Sequence, residues 1–202
     1  MELETVLRRR RMTRRFRDRP LDPDTLEHLL ELARRVPSAG FAQGVDLLVA
    51  TSATARARLW TAISHPEWRE SASAQPLLSA PVLVLPVADP DAYAARYGES
   101  DKAASGLAGV APADWPTPYW LVDASFCVLA LLLAAEDAGL GALFFRLHRP
   151  QPEGLTALEI PSGRELIGAV CLGEADERAP ASGSPRRRDW RDLDRVVHRE
   201  QW

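Results

Sequence analysis

The sequence RRRRMTRRF at residues 8–16 concentrates positive charge in a chain whose formal net charge is −3. Eight arginines fall between Arg8 and Arg19, whereas the 202 residues include one lysine, Lys102. Arginine suits phosphate because its planar, permanently charged guanidinium donates to two oxygens at once. The cluster therefore predicts a site for an anion.

A first helix accounts for part of this cluster without a ligand. Apolar residues at helical spacing predict a helix over residues 2–11, and its last turn would hold residues 8–11. The helix dipole favours cations there. The four arginines between residues 14 and 19 lie beyond that helix, in a segment that Pro20 keeps out of the α conformation at its end.

A second stretch, PSAGFAQG at residues 37–44, follows the next helix. Asp22 is predicted to cap that helix, which must end near Val36 because Pro37 disfavours a helical predecessor. Small residues in the loop would allow the backbone to approach a flat ligand, and Gly40 can adopt a positive φ. A plain turn that ends the helix explains the same residues.

The remaining apolar runs predict a sheet with helices on both faces. Strands are predicted over residues 45–50, 81–87, 142–145 and 166–173, and helices over 53–63, 91–97 and 119–138, with a helix or turn over 151–158. This order lacks a regular βαβ alternation, and no GxGxxG follows a strand. The pattern therefore favours an α+β fold over a doubly wound one.

Two local features qualify this assignment. Pro86 within the second strand predicts an edge position or a bulge. Residues 99–118 are rich in Gly, Ala, Pro and Ser. This segment is long for a loop in a compact domain. A lid over a substrate pocket and an exposed insertion without a role explain that segment equally well.

Size and composition indicate one domain over residues 1–202. Hydrophobic content of 46% with 26% charged residues is typical of globular proteins and disfavours disorder. Cys127 and Cys171 lie in apolar runs, which predicts buried thiols without a metal site. No signal-peptide pattern opens the chain, and charged residues such as Asp123 interrupt its most apolar window. We therefore expect a cytoplasmic protein without a membrane span.

The sequence identifies no catalytic acid, base or nucleophile. The four histidines lack ligand spacing, and no GxSxG, HExxH, P-loop or paired-carboxylate motif is present. An enzyme with anion-binding arginines but no such motif is typical of proteins whose cofactor carries the reaction. FMN, which has a phosphate, fits this description.

Four motifs together resemble the flavin-dependent nitroreductase family. RRMTRRF, PSAG, GLG at residues 139–141 and SPRRRDW with VVHREQW near the end occur in the family's order. The family pattern is approximately RRSxRxF, PSxxNxQPW, GLG and RRPxxxVVHxxxW. The resemblance implies a three-layer α/β/α fold with a mixed, mostly antiparallel sheet completed by a strand from a partner subunit. It also implies a homodimer, with residues 174–202 as an extension that embraces the partner.

The resemblance further implies three groups of FMN-binding residues. The phosphate and ribityl chain would contact Arg10, Arg11, Met12 and Arg14, with Arg186 and Arg188 from the tail. The flavin would also meet a loop, expected from the other subunit, formed by Pro37, Ser38, Ala39, Gly40, Phe41 and Gln43. The strand end would lie near the reactive ring nitrogen and comprises Phe144, Phe145, Arg146 and Leu147.

Several positions depart from the family pattern, among them Gly44 and Val45 in place of Pro-Trp. Met12 stands where the family usually has Ser, and Phe41 replaces an Asn that bonds the flavin. Arg146 stands where a small or acidic residue is common. It is a candidate modulator that could stabilise reduced flavin, bind an acidic substrate or fill the site.

The implied activity is an FMN-dependent NAD(P)H oxidoreductase with a two-step reaction. NADH or NADPH would reduce the flavin, and a small electron-poor acceptor such as a nitroaromatic or quinone would then reoxidise it. One alternative is a flavin dehydrogenase or dehalogenase of a specialised substrate, and another is a flavin-binding protein without turnover. Nucleic-acid binding is disfavoured because the chain is net acidic and few aromatic residues interleave the arginines.

Overall fold

A five-stranded sheet forms the centre of the fold. The structure is a computed structural model, and it describes residues 1–147, 152–176 and 188–202. The strands are β1 (Val45–Ala50), β2 (Val82–Ala88), β3 (Gly141–Phe145), β4 (Glu165–Leu166) and β5 (Ala169–Gly173). Their order is β1-β2-β5-β3 with β4 also beside β2, and all these pairs are antiparallel. The predicted α+β class is confirmed.

Helices cover the sheet and agree with most of the predicted positions. They are α1 (Leu3–Arg9), α2 (Pro23–Ala33), α3 (Ala53–Ile63), α4 (Pro66–Glu70), α5 (Gln75–Leu78), α6 (Pro90–Tyr97), α7 (Tyr119–Asp137) and α8 (Pro152–Ala157). Asp22 caps α2 as predicted, since its carboxylate accepts from the Thr25 N–H at 2.9 Å. Gly139 has the predicted left-handed conformation after α7, with φ of 73°.

One face of the sheet is covered by α7. Leu131 and Ala135 on this helix are fully buried with Leu29 of α2 and Val170 of β5. Among the described helices α7 has the length and hydropathy of a membrane span. Its packing against α2 and the sheet explains that hydropathy without a membrane.

The opposite face of the sheet carries a second cluster, which makes the fold three-layered. Trp60 and Ile63 of α3 pack there with Leu83 and Leu85 of β2. Cys171 belongs to this cluster, and burial raises the pKa of its thiol well above the usual value. The thiols of Cys127 and Cys171 are both free and buried, as predicted.

The run predicted as one strand over residues 166–173 is divided by a bulge. Val84 pairs with Val170 and Val87 with Leu166, so two residues of β2 face three on the other chain segment. Pro86 lies beside this interruption, where a residue without an N–H is tolerated. The prediction of a bulge at Pro86 is confirmed, and the edge alternative is wrong because β2 has strands on both sides.

Candidate functional site

The segment after α1 lies along the edge of the sheet. The helix ends at Arg9 rather than Arg11, and the chain then becomes extended. The Thr13 N–H donates to the Ala142 carbonyl at 2.8 Å, and the Arg17 N–H donates to the Glu174 carbonyl at 3.0 Å. These bonds place the arginine-rich segment beside β3 and past the end of β5.

Most arginines of the cluster are engaged by the protein itself. Protein oxygens bind Arg8 (Glu4), Arg9 (Glu136), Arg11 (carbonyls of Arg8, Arg9 and Arg10), Arg17 (Glu174) and Arg19 (Glu174). The ion pairs are largely exposed and so contribute little stability. The Arg11 bonds satisfy carbonyls at the end of α1. These five residues therefore have partners without an external anion.

Two further arginines of the cluster, Arg10 and Arg14, have positions that bear on a ligand. The Arg10 Nη1 atom is buried, and it has no hydrogen-bond partner among the described residues. A buried donor without an acceptor is costly, so this atom indicates a place for an oxygen of a ligand. Arg14, four residues further along, lines a cleft.

This cleft lies at the end of β3 and has a volume of about 310 Å³. Its apolar lining is Ile63, Trp68, Leu77, Leu143, Phe144 and Phe145. Its polar lining is Arg14, Ser64, Ser73 and Arg146. Two cations and no carboxylate among these described residues suit a ligand that combines an apolar body with negative charge.

An aromatic stack makes the cleft wall rigid. The Trp60 ring lies 5.5 Å from the Phe145 ring at an interplanar angle of 19°, and 5.7 Å from the Trp68 ring. Arg69 donates to the Ser64 carbonyl at 2.5 Å and so links the end of α3 to α4. The segment over residues 64–75, which contains α4, is therefore folded against the cleft.

Gly168 permits the close approach of the bulge to this wall. A Cβ atom at this position would lie 2.5 Å from the Phe145 carbonyl oxygen and 2.5 Å from the Phe144 ring. A side chain there must displace the two residues that form the end of β3.

We expect Gly168→Ala to lower the free energy of unfolding by about 3 kcal/mol, or the Tm by about 6–12 °C. The matched control is Gly98→Ala, because a Cβ atom at Gly98 meets nothing closer than 3.3 Å and its φ is −80°. Thermal unfolding followed by circular dichroism measures both. Equal Tm values for the two variants would contradict the proposed crowding.

The loop over residues 37–44 lies at the other edge of the sheet. It leads into β1, whereas the cleft lies at β3, three strand spacings or about 14 Å away. None of its residues lines the cleft. A single chain thus brings Arg14, Phe144, Phe145 and Arg146 together but leaves the loop elsewhere.

The loop has an unusual backbone. Gly40, Phe41 and Gln43 have φ values of 62°, 58° and 53°. Glycine adopts this region readily, whereas a bulky residue such as Phe does so at a cost. The Phe41 side chain is 71% exposed, so packing does not compensate that cost within this chain.

We expect Phe41→Asn to raise the free energy of unfolding by about 1 kcal/mol, because Asn tolerates the left-handed conformation. The corresponding rise in Tm is about 2–4 °C. Phe41→Ala is the control, since it removes the ring but keeps the unfavourable φ. If Ala stabilised the protein as much as Asn, exposure of the ring rather than the backbone would be the cause.

The other predicted site residues have varied positions. Met12 packs against both core clusters and pairs with Ala142. Leu147 packs at the edge of the second cluster. Arg188 is exposed, and Arg186 lies outside the described residues. The sequence interpretation missed Ile63, Trp68, Ser73 and Leu77 as cleft residues, and the paired tryptophans of α3 and α4 were the available signal.

The segment over residues 99–118 packs beside the loop rather than the cleft. It contains two 3-10 helices, Ser100–Ser105 and Pro112–Asp114. Trp115 is buried and lies 5.2 Å from the Tyr97 ring and 6.0 Å from the Trp120 ring. No residue of this segment lines the cleft of the described chain.

Comparison with known proteins agrees with this architecture. A family model described as "Nitroreductase family" matches residues 7–174. A nitroreductase family protein from Clostridium difficile 630 is 19% identical with a TM-score of 0.71, and 100% of both chains is covered. A nitroreductase from Desulfovibrio desulfuricans, solved in complex with FMN, is 19% identical with a TM-score of 0.71, covering 100% of this chain and 98% of that one. CLA-ER, described as an enone reductase of gut-bacterial fatty acid saturation, is 19% identical with a TM-score of 0.69, covering 94% and 97%.

Proposed function

The chain belongs to the nitroreductase family, and we propose that it is an FMN-dependent NAD(P)H oxidoreductase that reduces a small electron-poor acceptor. The observation that carries this proposal is the cleft lined by Arg14 and Arg146, with Arg10 four residues before Arg14 on the same segment. A dianionic phosphate would provide oxygens for the buried Nη1 atom of Arg10, which lacks a partner among the described residues. The family membership supports a flavin oxidoreductase in general, and the acceptor and donor are part of the proposal.

The residues present fit FMN in three respects. Two arginines on one extended segment suit the phosphate. The stacked wall that includes Trp68 and Phe145 offers a rigid apolar surface for a flat ring. The hydroxyl of Ser73 at the cleft can bond a polar ribityl or ring atom.

FMN bound here would supply the hydride and electron transfer between NADH or NADPH and the acceptor. The chain's own contribution is binding and electrostatic stabilisation. Arg146 is exposed at the cleft and makes no hydrogen bond or ion pair with the described part of the chain. Its charge would stabilise negative charge that develops nearby, or bind an anionic acceptor.

We also propose that two copies of the chain form each site. On α7, Phe126 and Leu129 are 43% and 47% exposed, although this helix is otherwise buried in the core. In the tail, Trp190 and Trp202 are almost fully exposed. Apolar surface of this kind marks an interface. A second copy would cover it and bring its own loop over residues 37–44 to the cleft, which the first copy's loop does not reach.

The first test is an absorbance spectrum of the purified protein, repeated anaerobically after NADPH and then NADH. A protein-bound flavin band that bleaches is the expected result. No flavin band, even after incubation with FMN and desalting, would overturn the proposal. A band that neither nucleotide bleaches would favour a flavin-binding protein without turnover.

A second candidate function is a flavin enzyme with a specialised substrate. Phe41 and Arg146, which depart from the family pattern, favour it. Turnover of nitroaromatics and quinones no faster than by free FMN would support this candidate. Activated alkenes belong in the same screen, since the similar structure CLA-ER is described as an enone reductase.

A further inference from the structure

A carboxylate lies within the core beneath the loop over residues 37–44. Asp123 of α7 is 3% exposed. Its Oδ2 atom accepts from the Tyr93 hydroxyl at 2.7 Å and from the Ala39 backbone N–H at 2.8 Å. No arginine or lysine of the described chain pairs with it. A buried carboxylate is unfavourable unless it is hydrogen-bonded. These two hydrogen bonds therefore offset the cost of burying Asp123.

Tyr93 connects this carboxylate to the other end of the loop. Its side chain is fully buried, and a Cβ atom on Gly44 would lie 2.6 Å from its ring. The loop backbone therefore rests directly on Tyr93. Burial, followed by the bond to Asp123, raises the pKa of Tyr93 far above its usual value, so the hydroxyl remains a donor at all physiological pH values.

Two further bonds hold the same loop. The Arg96 Nε–H donates to the Gly40 carbonyl at 2.7 Å, and the Gln43 N–H donates to the Ser38 hydroxyl at 3.1 Å. The loop nevertheless contains two residues other than glycine with positive φ, Phe41 and Gln43. Such a conformation persists only where its surroundings specify it. Among the described residues, Asp123 provides the one hydrogen bond that reaches the loop from the core helix α7.

We propose that Asp123 is a positioning residue that holds the loop over residues 38–44, through the Ala39 N–H and with Tyr93 as its second donor, in the conformation that meets the partner copy's flavin. The flavin part of this statement rests on the proposed function. The positioning part concerns the chain alone. Asp123 lies far from the cleft of its own chain and so acts through the loop.

The test compares Asp123→Leu with Asp123→Asn in the full-length protein. Leu removes the acceptor at similar size, whereas the Asn carbonyl can accept both bonds. For Asp123→Leu we expect hydrogen exchange of the Ala39 amide to be at least about 100-fold faster and the FMN dissociation constant to rise about tenfold. For Asp123→Asn we expect both values to stay within about threefold of the original protein.

A control separates positioning from general destabilisation. Val128→Ala truncates a buried side chain on the same helix, away from the loop. We expect it to lower the Tm without a selective change at the Ala39 amide or in FMN affinity. If Asp123→Leu behaved like Val128→Ala, with Ala39 protected and FMN affinity unchanged, the proposal would be overturned.

The same design distinguishes the two proposals from each other. If the original protein binds no FMN, the proposed function fails, and exchange at Ala39 still decides whether Asp123 positions the loop. If Asp123→Leu does not fold, Tyr93→Phe replaces it, because this variant removes one bond to Asp123 and keeps the ring beneath Gly44. We then expect about tenfold faster exchange at Ala39. Unchanged exchange in Tyr93→Phe would overturn the proposal.

Discussion

Replacing Arg10 and Arg14 together by glutamine should raise the FMN dissociation constant by at least about 100-fold, because each charge-assisted hydrogen bond contributes about 1.5–3 kcal/mol. Arg10 offers a buried Nη1 without a partner in the described chain, and Arg14 lines the cleft. The fold should be retained. Quenching of FMN fluorescence on titration with apoprotein measures the constant, and circular dichroism verifies folding.

The matched control is the double variant Arg17→Gln with Arg19→Gln. It removes the same amount of charge from the same segment, but both residues already pair with Glu174. We expect its FMN affinity to change by less than about threefold, since these pairs are exposed. Equal losses in the two double variants would mean that general positive charge, rather than contact, attracts FMN. No loss in either would place the phosphate elsewhere.

The eight arginines illustrate what charge counting reveals and what it misses. The sequence shows that positive charge is concentrated at residues 8–19. It does not show which arginines already have partners. Glu136 and Glu174 lie more than 100 residues from Arg9 and Arg17, so only the tertiary structure brings them together. In the folded chain Arg14 lines the cleft, and the Nη1 atom of Arg10 is buried without a partner among the described residues, which is why these two arginines are proposed to bind the phosphate.

Elements with local signals were predicted well. Asp22 before Pro23, Gly139 after an apolar helix and the apolar run of β1 each specify their structure within a few residues. The segment over residues 64–75 has no such signal, because its conformation depends on contacts with residues distant in the sequence. Trp68 contacts Trp60 with tilted rings, and Trp60 stacks on Phe145, so the cleft wall forms only when α3, α4 and β3 meet.

The position of the loop over residues 37–44 depends on topology. The loop leads into β1, whereas the cleft lies at the end of β3. The strand order β1-β2-β5-β3 puts these two strands at opposite edges of the sheet. Composition and periodicity contain no information on that order. The family resemblance implied that the loop serves the other subunit, and this remains a prediction. This prediction leads to a second substitution with a large expected effect, which tests whether two copies of the chain form the site.

Leu129→Arg should convert a dimer into a monomer and abolish FMN binding at micromolar protein. Phe126 and Leu129 are three residues apart on one face of α7, and both are exposed in the single chain. Arginine on an exposed helix face is well tolerated by the monomer. An unpaired arginine buried in an interface costs about 3–5 kcal/mol, which weakens dimerisation by about 10²–10⁴-fold. Light scattering gives the mass, and absorbance gives the flavin occupancy.

Leu32→Arg on α2 is the control, because Leu32 is also an exposed leucine, at 40%, on a different helix. We expect it to leave both mass and occupancy unchanged. A Leu129→Arg protein that stayed dimeric would exclude this face of α7 from the interface. A monomer that still bound FMN would have a different meaning. It would show that the cleft of one chain suffices, so that the loop at the opposite sheet edge, with Asp123 beneath it, serves something other than the flavin.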